Sequence, residues 1–456
     1  MKLKTKARLA MGAFLVACLV PSVGMLIVPE RPAAANQRLA QPPSLTQKDG
    51  SFNPEVFQEA ADYIADHFAF RQELITADAV LNAAVLGVSA EEDVTLGRDG
   101  WLFYTETIDG YLHTAPLTQR QLWAGAHTLA LVQEYVQARG ARLLFTAAPN
   151  KASLYPQYLP DVGTPLEGAD DIDRLRPLLE AEGVPYADLF APFRAREDTL
   201  YFSADSHWNA QGAELACQTL LTALDRPCVQ DTTGGPVMEL RRGDLYQMLY
   251  PTGTDRLSDL CFEQPSFHHI RQPRGPDDQR IETENPDLEG SLLMFRDSFG
   301  NNLYPLMAQQ FGRALFSRSM PLQLSLLEQS GADTVIVELV ERNLDYLAVY
   351  APIFPAPERL LTGTPPQGLG QGQFSLSSQH PLEGYLRLEG LLPQADNSSP
   401  IYIQLGKALY EASPAGGEWD KGIPFTLYVP QGTDLESACA ICVQQGTLCI
   451  LPLEHI

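Results

Sequence analysis

Two short motifs of this chain contain the three residue types that make a reactive hydroxyl. Asp205-Ser206-His207-Trp208 places a carboxylate two positions before an imidazole, and Arg296-Asp297-Ser298-Phe299-Gly300 places a serine further along the chain. A serine hydroxyl becomes a nucleophile when a histidine takes its proton and a carboxylate holds that histidine in the right tautomer. The motifs therefore predict Ser298 as nucleophile, His207 as base and Asp205 as the orienting acid.

The residues around Ser298 indicate a turn between a strand and a helix. The apolar residues 291–296 predict a buried strand, and a helix is predicted from Ser298 to about residue 311. Because N–H groups at the start of a helix stabilise a developing oxyanion, we expect donors in the amides of Ser298 and Gly300 and in the Asn301 side chain. The alternative is that Ser298 is a plain helix N-cap.

The side chains of Asp205 and His207 are expected to converge on one cleft. In extended backbone, residues i and i+2 project from the same face, and a carboxylate bonded to an imidazole stabilises its charged form. As an alternative, Asp205 or Ser206 caps the helix predicted at 210–224. Trp208 is interpreted as a packing residue or, less favoured, as a platform for a sugar ring.

No metal-binding or cofactor-binding motif accompanies these residues. The sequence contains no His-Glu-x-x-His, no carboxylate cluster at ligand spacing and no glycine-rich phosphate loop, and His268-His269 stands in a polar stretch that predicts a loop. We therefore expect neither a metal nor a cofactor.

Short apolar segments alternate with helical segments through residues 53–355. Strands are predicted at 142–148, 184–189, 291–296 and 334–339, with helices at 53–86, 118–139, 169–182 and 210–224. This alternation is typical of an α/β fold with a parallel sheet and helices on both faces. Since ligands bind such sheets at the carboxyl ends of the strands, Ser298 is expected where a reactive group belongs.

The first 35 residues predict export from the cytoplasm. Four basic side chains in residues 1–8 precede an uncharged apolar run at 9–28, and Ala33-Ala34-Ala35 resembles a cleavage site. The run is also long enough for a retained membrane anchor, and a lipoprotein box ending at Cys18 is a weaker alternative. Residues 36–52 are interpreted as a tether. Because positive charge precedes the apolar run, the rest of the chain is expected outside the cytoplasm, in the periplasm or at the cell surface.

Export also changes what is expected of the cysteines. Disulfides are the default in an oxidising compartment, and the spacing does not fix their pairing. Six cysteines follow the N-terminal segment: Cys217, Cys228, Cys261, Cys439, Cys442 and Cys449.

The end of the chain differs in composition from the α/β region. Residues 356–372 are interpreted as a linker, and the short alternating runs in 373–456 predict a small β-sandwich. The net charge of the whole chain is −24. A field of that sign repels nucleic acid and anionic membrane surfaces, which argues against a nucleic-acid partner.

Five motifs together resemble one enzyme family. Residues 97–103, 149–156, 205–209, 296–300 and 337–342 are similar to motifs of the alginate O-acetyltransferases and the related DHHW proteins of the SGNH hydrolase-like superfamily. The resemblance covers about residues 53–350. It implies a flavodoxin-like fold with the motif order permuted, because ordinary members carry the serine block first. It places Ser298, His207 and Asp205 in the roles given above and adds Asn150 and Lys151 as oxyanion or substrate residues.

The resemblance also implies a reaction and its partners. It implies transfer of acetyl groups outside the cytoplasm onto a polysaccharide hydroxyl, through an acetyl-serine, with the donor supplied by a membrane acyl-shuttling protein. Residues 373–456 are not clearly similar to an alginate-binding module, so alginate is not carried over as the acceptor. A carbohydrate acetyl esterase of the same mechanism and a non-catalytic glycan-binding or assembly protein are the alternatives.

Overall fold

A mixed seven-stranded β-sheet organises the central part of this chain in its computed structural model. The structure describes residues 3–25, 27–28, 39–47, 49–228, 236–262 and 266–456. Within these residues the helices are α1 (Leu3–Gly24), α2 (Val56–His67), α3 (Arg71–Leu81), α4 (Glu106–Leu112), α5 (Gln119–Gln137), α6 (Lys151–Leu154), α7 (Asp171–Ala181), α8 (Phe190–Arg194), α9 (Ala210–Ala223), α10 (Asp244–Leu249), α11 (Gly300–Ala308), α12 (Ser325–Ser330) and α13 (Tyr346–Val349).

The strands of the α/β region are β1 (Val94–Leu96), β2 (Leu102–Tyr104), β3 (Arg142–Ala148), β4 (Tyr186–Asp188), β5 (Pro236–Arg241), β6 (Leu257–Phe262), β7 (His268–His269), β8 (Arg280–Glu284), β9 (Ser291–Phe295), β10 (Arg313–Ser317) and β11 (Thr334–Val340). Those of the C-terminal part are β12 (Gly372–Leu376), β13 (Tyr385–Leu392), β14 (Ile401–Leu405), β15 (Ala408–Ala412), β16 (Ile423–Pro430), β17 (Cys439–Gln444) and β18 (Thr447–His455).

The central sheet has the strand order β4-β3-β11-β9-β10-β8-β7. The five strands from β4 to β10 are parallel. Four of them, β4, β3, β11 and β9, are the predicted strands, and β10 was not predicted. The sequence missed the antiparallel edge, because β8 and β7 come from a polar stretch without a buried apolar run. His268-His269 is therefore a short edge strand and not the predicted loop.

Both faces of this sheet are covered by helices. Successive residues of a strand point to opposite faces, so Phe145 of β3 packs with α5 and α7 on one side. Leu144, one position earlier, packs with α9 and α11 on the other. The central strands are consequently buried on both faces, which is why they read as continuous apolar runs in the sequence.

The carboxyl ends of three neighbouring strands bring the sequence motifs together. Asn150 follows β3, the segment beginning with Glu341 follows β11, and Ser298 follows β9, with β11 lying between the other two. The Asp205–His207 loop reaches the same edge, because the buried Lys151 ammonium donates a 2.7 Å hydrogen bond to the Asp205 carbonyl oxygen.

Residues 373–456 are β-rich, as predicted, but their sheet arrangement differs from the predicted sandwich. All seven strands form one sheet of order β15-β14-β17-β18-β12-β13-β16. A parallel pairing of β12 with β18 joins its two halves, and a bridge between Ser413 and Thr426 links β15 to β16. Alternation in a sequence indicates which face of a strand is buried, but it does not determine the partner strand. The joining of the two halves into one sheet could therefore not be predicted.

Two predicted helices also differ from the structure. The predicted helix 53–86 is divided into α2 and α3 by a break at Phe68–Phe70, where Phe70 has a left-handed backbone with φ 64°. The helix predicted from Ser298 begins at Gly300 and ends at Ala308. Apolar periodicity continues across both boundaries, and for this reason the helices predicted from that periodicity were longer than the observed ones.

The N-terminal segment and the cysteines are described only in part. Among the described residues, no helix combines the length and the apolar character that a membrane crossing requires. The expected cleavage site at 33–35 lies outside the described residues. The five cysteines whose side chains are described are free thiols, so the predicted disulfides are not found among them. An even number of cysteines says nothing of whether their side chains meet.

Candidate active site

Ser298 lies in a tight turn between β9 and α11. The Asp297 carboxylate shapes this turn, because its Oδ1 accepts the Phe299 N–H at 2.9 Å. Its Oδ2 accepts the Val340 N–H at 2.7 Å and the Asn343 side-chain amide at 3.0 Å, which ties the turn to the end of β11. Asp297 therefore fixes the direction of Ser298 relative to the neighbouring strand.

Ser298 lines a cavity of about 200 Å³ at the carboxyl edge of the sheet, which we call the serine cavity. Its other walls include Arg318, Asn343 and Tyr346. The start of α11 is adjacent, and Gly300 is required there because a Cβ would lie 2.4 Å from the Arg296 side chain. The cavity thus presents a hydroxyl beside the N-terminal end of a helix.

Asp205 is completely buried and its carboxylate is fully used. Oδ1 accepts the His207 backbone N–H at 2.9 Å and is 2.8 Å from the imidazole Nδ1. Oδ2 accepts the Arg241 guanidinium at 3.2 Å and the Asp244 N–H at 3.1 Å. Four donors around one buried carboxylate hold it ionised and fixed in position.

The contacts of Nδ1 determine the tautomer of His207. Nδ1 faces Asp205 Oδ1 at 2.8 Å, Ser206 Oγ at 3.2 Å and Asp244 Oδ2 at 3.4 Å. A proton on Nδ1 is therefore strongly favoured, which leaves the lone pair of the neutral ring on Nε2. Nε2 is buried and has no hydrogen-bond partner in the described part of the chain. The ring is thus prepared to accept a proton at Nε2.

The pKa values of the pair move in opposite directions. Burial opposes ionisation of Asp205, but the hydrogen bond and charge of His207, followed by the charge of Arg241, outweigh it and hold the Asp205 pKa far below its ordinary value. Burial also disfavours the charged imidazole, yet the hydrogen bond and charge of Asp205 and then the charge of Asp244 raise the His207 pKa above its ordinary value. The imidazolium that forms when His207 takes a proton is thereby stabilised.

The histidine motif and the serine motif are docked onto each other by specific contacts. Trp208 Nε1 donates to the Phe299 carbonyl at 3.1 Å, and the Asn302 side chain donates to the Trp208 carbonyl at 2.9 Å. The Phe299 ring lies with its centroid 5.0 Å from that of His207. Arg241 bridges the two motifs, because it donates to Asp205 and also to Asn302 Oδ1 at 3.2 Å.

The structure brings Asp205 and His207 into a hydrogen-bonded pair and brings Ser298 to the same edge of the sheet. Ser298 and His207 are not hydrogen-bonded to each other, since Nε2 has no partner. Hydrogen bonds between nucleophile and base are often long before substrate binds and shorten in the reacting complex.

Three other predicted site residues make contacts that hold the site together. Trp208 is fully buried in the core. The Lys151 ammonium is enclosed and donates to the carbonyls of Phe202, Ser203 and Asp205, and burial lowers its pKa to about 7. The Asn301 amide is used at both ends, by Arg296 at 2.6 Å and by Asp277 at 2.7 Å.

Asn150 lies apart from the serine cavity. It is 3% exposed, and its backbone N–H donates to the Glu341 carboxylate at 2.8 Å. Its side-chain oxygen has no hydrogen-bond partner within the described residues. Asn150 lines a different cavity, on the other side of the segment that follows β11.

Sequence reasoning missed Arg241 and Asp244. Both come from the β5–β6 and α10 region between the two motifs, and no spacing rule connects them to Asp205. Asp205, His207 and Asp244 also present ligand atoms within 4.8 Å of one another, a grouping that could hold a metal ion. The Arg241 guanidinium at 3.2 Å from Asp205 opposes a second cation at that position.

Comparison with known proteins confirms the resemblance drawn from the motifs. Residues 94–256 match the SGNH hydrolase-like domain of the acetyltransferase AlgX, a segment that contains Asp205 and His207 and ends before Ser298. The chain is 30% identical over 136 residues to the probable alginate O-acetylase AlgJ of Pseudomonas syringae pathovar tomato, covering 29% of this chain and 33% of that protein. It is 30% identical over 171 residues to the corresponding protein of Pseudomonas aeruginosa, covering 34% and 41%. The chain thus matches less than half the length of these relatives.

Several solved structures are similar at lower identity, including the following two. One is a DHHW family protein from Eubacterium siraeum, at 17% identity with a TM-score of 0.39, covering 48% of this chain and 85% of that one. The other is the O-acetyltransferase domain of Pseudomonas putida AlgJ, at 22% identity with a TM-score of 0.38, covering 55% and 92%.

Proposed function

We propose that this chain is a polysaccharide O-acetyltransferase that acts outside the cytoplasm through an acetyl-Ser298 intermediate. The observation that carries the proposal is the buried Asp205–His207 pair, 2.8 Å apart, with the opposite ring nitrogen unpartnered beside the turn that holds Ser298. A histidine held in this way is a general base with its lone pair free. The similarity to alginate O-acetylases supports acetyl as the group transferred.

The first half of the reaction acylates the serine. His207 Nε2 takes the hydroxyl proton as Ser298 Oγ attacks the acetyl carbonyl of the donor. The oxyanion is stabilised by the amides of Ser298 and Gly300, since the Phe299 N–H is occupied by Asp297 and the Asn301 N–H by the Ser298 carbonyl. Collapse breaks the bond to the donor, which leaves with the proton from His207, and acetyl-Ser298 remains.

The second half transfers the acetyl group to a sugar. His207, neutral again, takes a proton from an acceptor hydroxyl, whose oxygen attacks the acetyl carbonyl, and Ser298 leaves with that proton. Transfer requires that the positioned sugar react faster than water at the same intermediate. The donor is proposed to come from a membrane acyl-shuttling partner, as the resemblance implies. A carbohydrate acetyl esterase would use water in this half-reaction.

Trapping the intermediate tests the first half. The full chain incubated with a chromogenic acetyl ester is expected to release the chromophore and gain one acetyl mass on the peptide containing Ser298. Ser298→Ala and His207→Ala are expected to lose about 1000-fold or more in turnover, as in other nucleophile triads. Ser291→Ala, at the opposite end of β9, is the matched control and is expected to keep the wild-type rate. Equal rates in wild type and Ser298→Ala would refute the proposal.

Adding an acceptor separates the remaining alternatives. Oligosaccharides mixed with the acylating enzyme are expected to gain acetyl groups, seen as a mass increase of the sugar. Release of free acetate alone, at an unchanged rate, would indicate an esterase. Saccharide binding without any acylation of wild-type protein would indicate the glycan-binding alternative.

A further inference from the structure

A second cavity, of about 310 Å³, opens at the same edge of the sheet. We call it the acidic cavity. Its walls come from α4 and the loop after it, from Asn150, from the start of α7 and from the segment after β11. Six carboxylates line it: Glu106, Asp109, Asp170, Asp171, Glu341 and Asp345.

The charge of this cavity remains negative after its ion pairs are counted. Asp170 is paired with His113 at 2.7 Å, and Asp171 with Arg174 at 2.9 Å. Four carboxylates have no cationic partner within the described ranges: Glu106, Asp109, Glu341 and Asp345. Glu341 accepts the Asn150 N–H and the Ser153 hydroxyl instead. The lining arginine, Arg342, places its guanidinium over the rings of Tyr104 and Phe299, at 5.4 and 5.6 Å from their centroids. One arginine cannot neutralise these four carboxylates.

Two buried acceptors in the cavity lack donors. The side-chain oxygen of Asn150, a residue that is 3% exposed, has no hydrogen-bond partner, and neither has Oδ1 of Asp345. A buried acceptor left without a donor costs free energy. Both side chains line the cavity, and saccharide hydroxyls are donors that a bound ligand can bring to it.

The acidic cavity flanks the proposed reaction site. Asn150 follows β3 and Ser298 follows β9, and the two strands lie on either side of β11. Strands in a sheet are about 4.8 Å apart, so the two ends are separated by about 10 Å. Residues 341–345 form a shared wall, since Glu341, Arg342 and Asp345 line the acidic cavity while Asn343 lines the serine cavity. An extended oligosaccharide bound along this edge of the sheet is therefore long enough to reach both cavities.

We propose that the acidic cavity is a flanking subsite for the acceptor glycan and that it takes a saccharide unit without a carboxylate, either neutral or amino-bearing. Its unmet acceptors require hydroxyl or ammonium donors, and its unpaired carboxylates repel a uronate. What happens at Ser298 rests on the function proposed above, whereas binding in this cavity does not need the seryl intermediate.

Binding to a protein that cannot be acylated tests this subsite. The full chain carrying Ser298→Ala is titrated calorimetrically at low ionic strength with tetrasaccharides of glucose, of glucosamine and of mannuronate. The glucose and glucosamine compounds are expected to bind at least about tenfold more tightly than the mannuronate compound, and the difference should shrink with salt. Tighter or equal binding of mannuronate would overturn the proposal, as would a failure of all three to bind.

Charge variants locate the effect in the cavity. Replacing three of the unpaired carboxylates together, by Glu106→Gln, Asp109→Asn and Asp345→Asn, is expected to strengthen mannuronate binding about tenfold. A control with the same change of net charge, Glu383→Gln with Asp420→Asn and Glu436→Gln in the C-terminal sheet, alters exposed positions far along the chain and is expected to have no such effect. Equal gains in both triple variants would show a general field effect and refute a local subsite.

Asn150→Ala is expected to weaken binding of all saccharides that bind wild type, because an acceptor in the cavity is lost. A thermal melt of each variant shows that it is folded before its affinity is compared. Selective binding without acylation of wild-type protein would refute the proposed function and leave the subsite standing. Acylation of the wild-type protein together with preferential binding of mannuronate would refute the subsite and leave the proposed function standing.

Discussion

At the scale of single residues, the position of one proton determines how the candidate site works. Nδ1 of His207 is surrounded by oxygen atoms of Asp205, Ser206 and Asp244, and Nε2 has no partner in the described part of the chain. A neutral ring with its proton on Nδ1 is a base at Nε2, and the protonated ring is inactive in the attack step. In the proposed mechanism, the pKa of His207 therefore sets the acid limit of the reaction.

This limit can be moved by changing Asp244. The charges of Asp205 and Asp244 raise the His207 pKa above its ordinary value despite burial, so kcat/KM for an acetyl ester is expected to fall with decreasing pH as the pH passes that raised pKa. Asp244→Asn removes one of the two charges, lowers the His207 pKa and moves the acid limb to lower pH. The pH profile of kcat/KM is the measurement.

The matched control for this shift is Glu383→Gln, which removes the same charge from an exposed position. Its acid limb is expected to coincide with that of wild type. An acid limb that moves to higher pH in Asp244→Asn, or does not move, would show that Asp244 does not act on the histidine.

At the scale of elements, the β5–β6 hairpin clamps the two halves of the site. Arg241 at its end donates to Asp205 Oδ2 and to Asn302 Oδ1, both at 3.2 Å, and lies over the Phe202 ring at 5.1 Å. Together with the Trp208–Phe299 and Asn302–Trp208 hydrogen bonds, this side chain fixes the distance between the histidine loop and the start of α11. A planar guanidinium can make both bonds at once, whereas a lysine ammonium makes them with less defined geometry.

Removing this clamp is expected to reduce turnover more than stability. Arg241→Gln should lower kcat for ester hydrolysis by about 10- to 100-fold with little change in KM, because displacement of the base by a fraction of an ångström impairs proton transfer. Arg241→Lys should recover part of the loss. Arg242→Gln is the neighbouring control, since the Arg242 guanidinium donates to the carbonyls of Tyr250 and Pro251 instead. A parallel loss in both glutamine variants would contradict the clamp.

The same region shows what could and could not be predicted from the sequence. The pairing of Asp205 with His207 could be predicted from their residue types and local spacing, and the position of Ser298 at the sheet edge from the strand before it. The parallel strands could be predicted because they are buried on both faces. Arg241 acts on Asp205 from a separate hairpin, and no local pattern encodes that contact. The hydrogen bonds of Asn301 to Arg296 and Asp277, and the joining of the C-terminal strands into one sheet, likewise depend on tertiary contacts. Alternation and propensity do not determine such contacts.

At the scale of the whole molecule, one stripe of α5 connects the α/β region to the C-terminal sheet. Arg120, His127 and Glu134 are spaced by seven residues, two helical turns, and so lie on one face. Arg120 donates to the carbonyls of residues 396, 397 and 399, and Glu134 pairs with Arg359. His127 lies between them, with Nδ1 2.8 Å from Glu182 Oε2 and Nε2 3.0 Å from Glu411 Oε1.

His127 makes this connection dependent on pH. Both ring nitrogens face carboxylates, so both bonds require the imidazolium. Burial opposes that charge, but Glu182 and Glu411 outweigh it and raise the His127 pKa above its ordinary value. A group with a raised folded-state pKa contributes stability that is complete below its unfolded pKa and is lost as the pH rises through the folded one.

Replacing His127 is therefore expected to destabilise the protein most at low pH. At pH 6, His127→Gln should lower the free energy of unfolding by on the order of 2 kcal/mol, because it removes the cation shared by Glu182 and Glu411, while Glu411 keeps its ion pair with Arg359. Above the raised pKa, wild type has itself lost the charge, and the gap between the two proteins should narrow. Thermal unfolding at pH 6 and pH 9 measures both values, with the exposed His380→Gln as a control expected to match wild type at each pH. A gap of the same size at both pH values would mean that His127 stabilises the contact by packing on Trp123, whose ring stacks on it at 4.5 Å, and not by its charge.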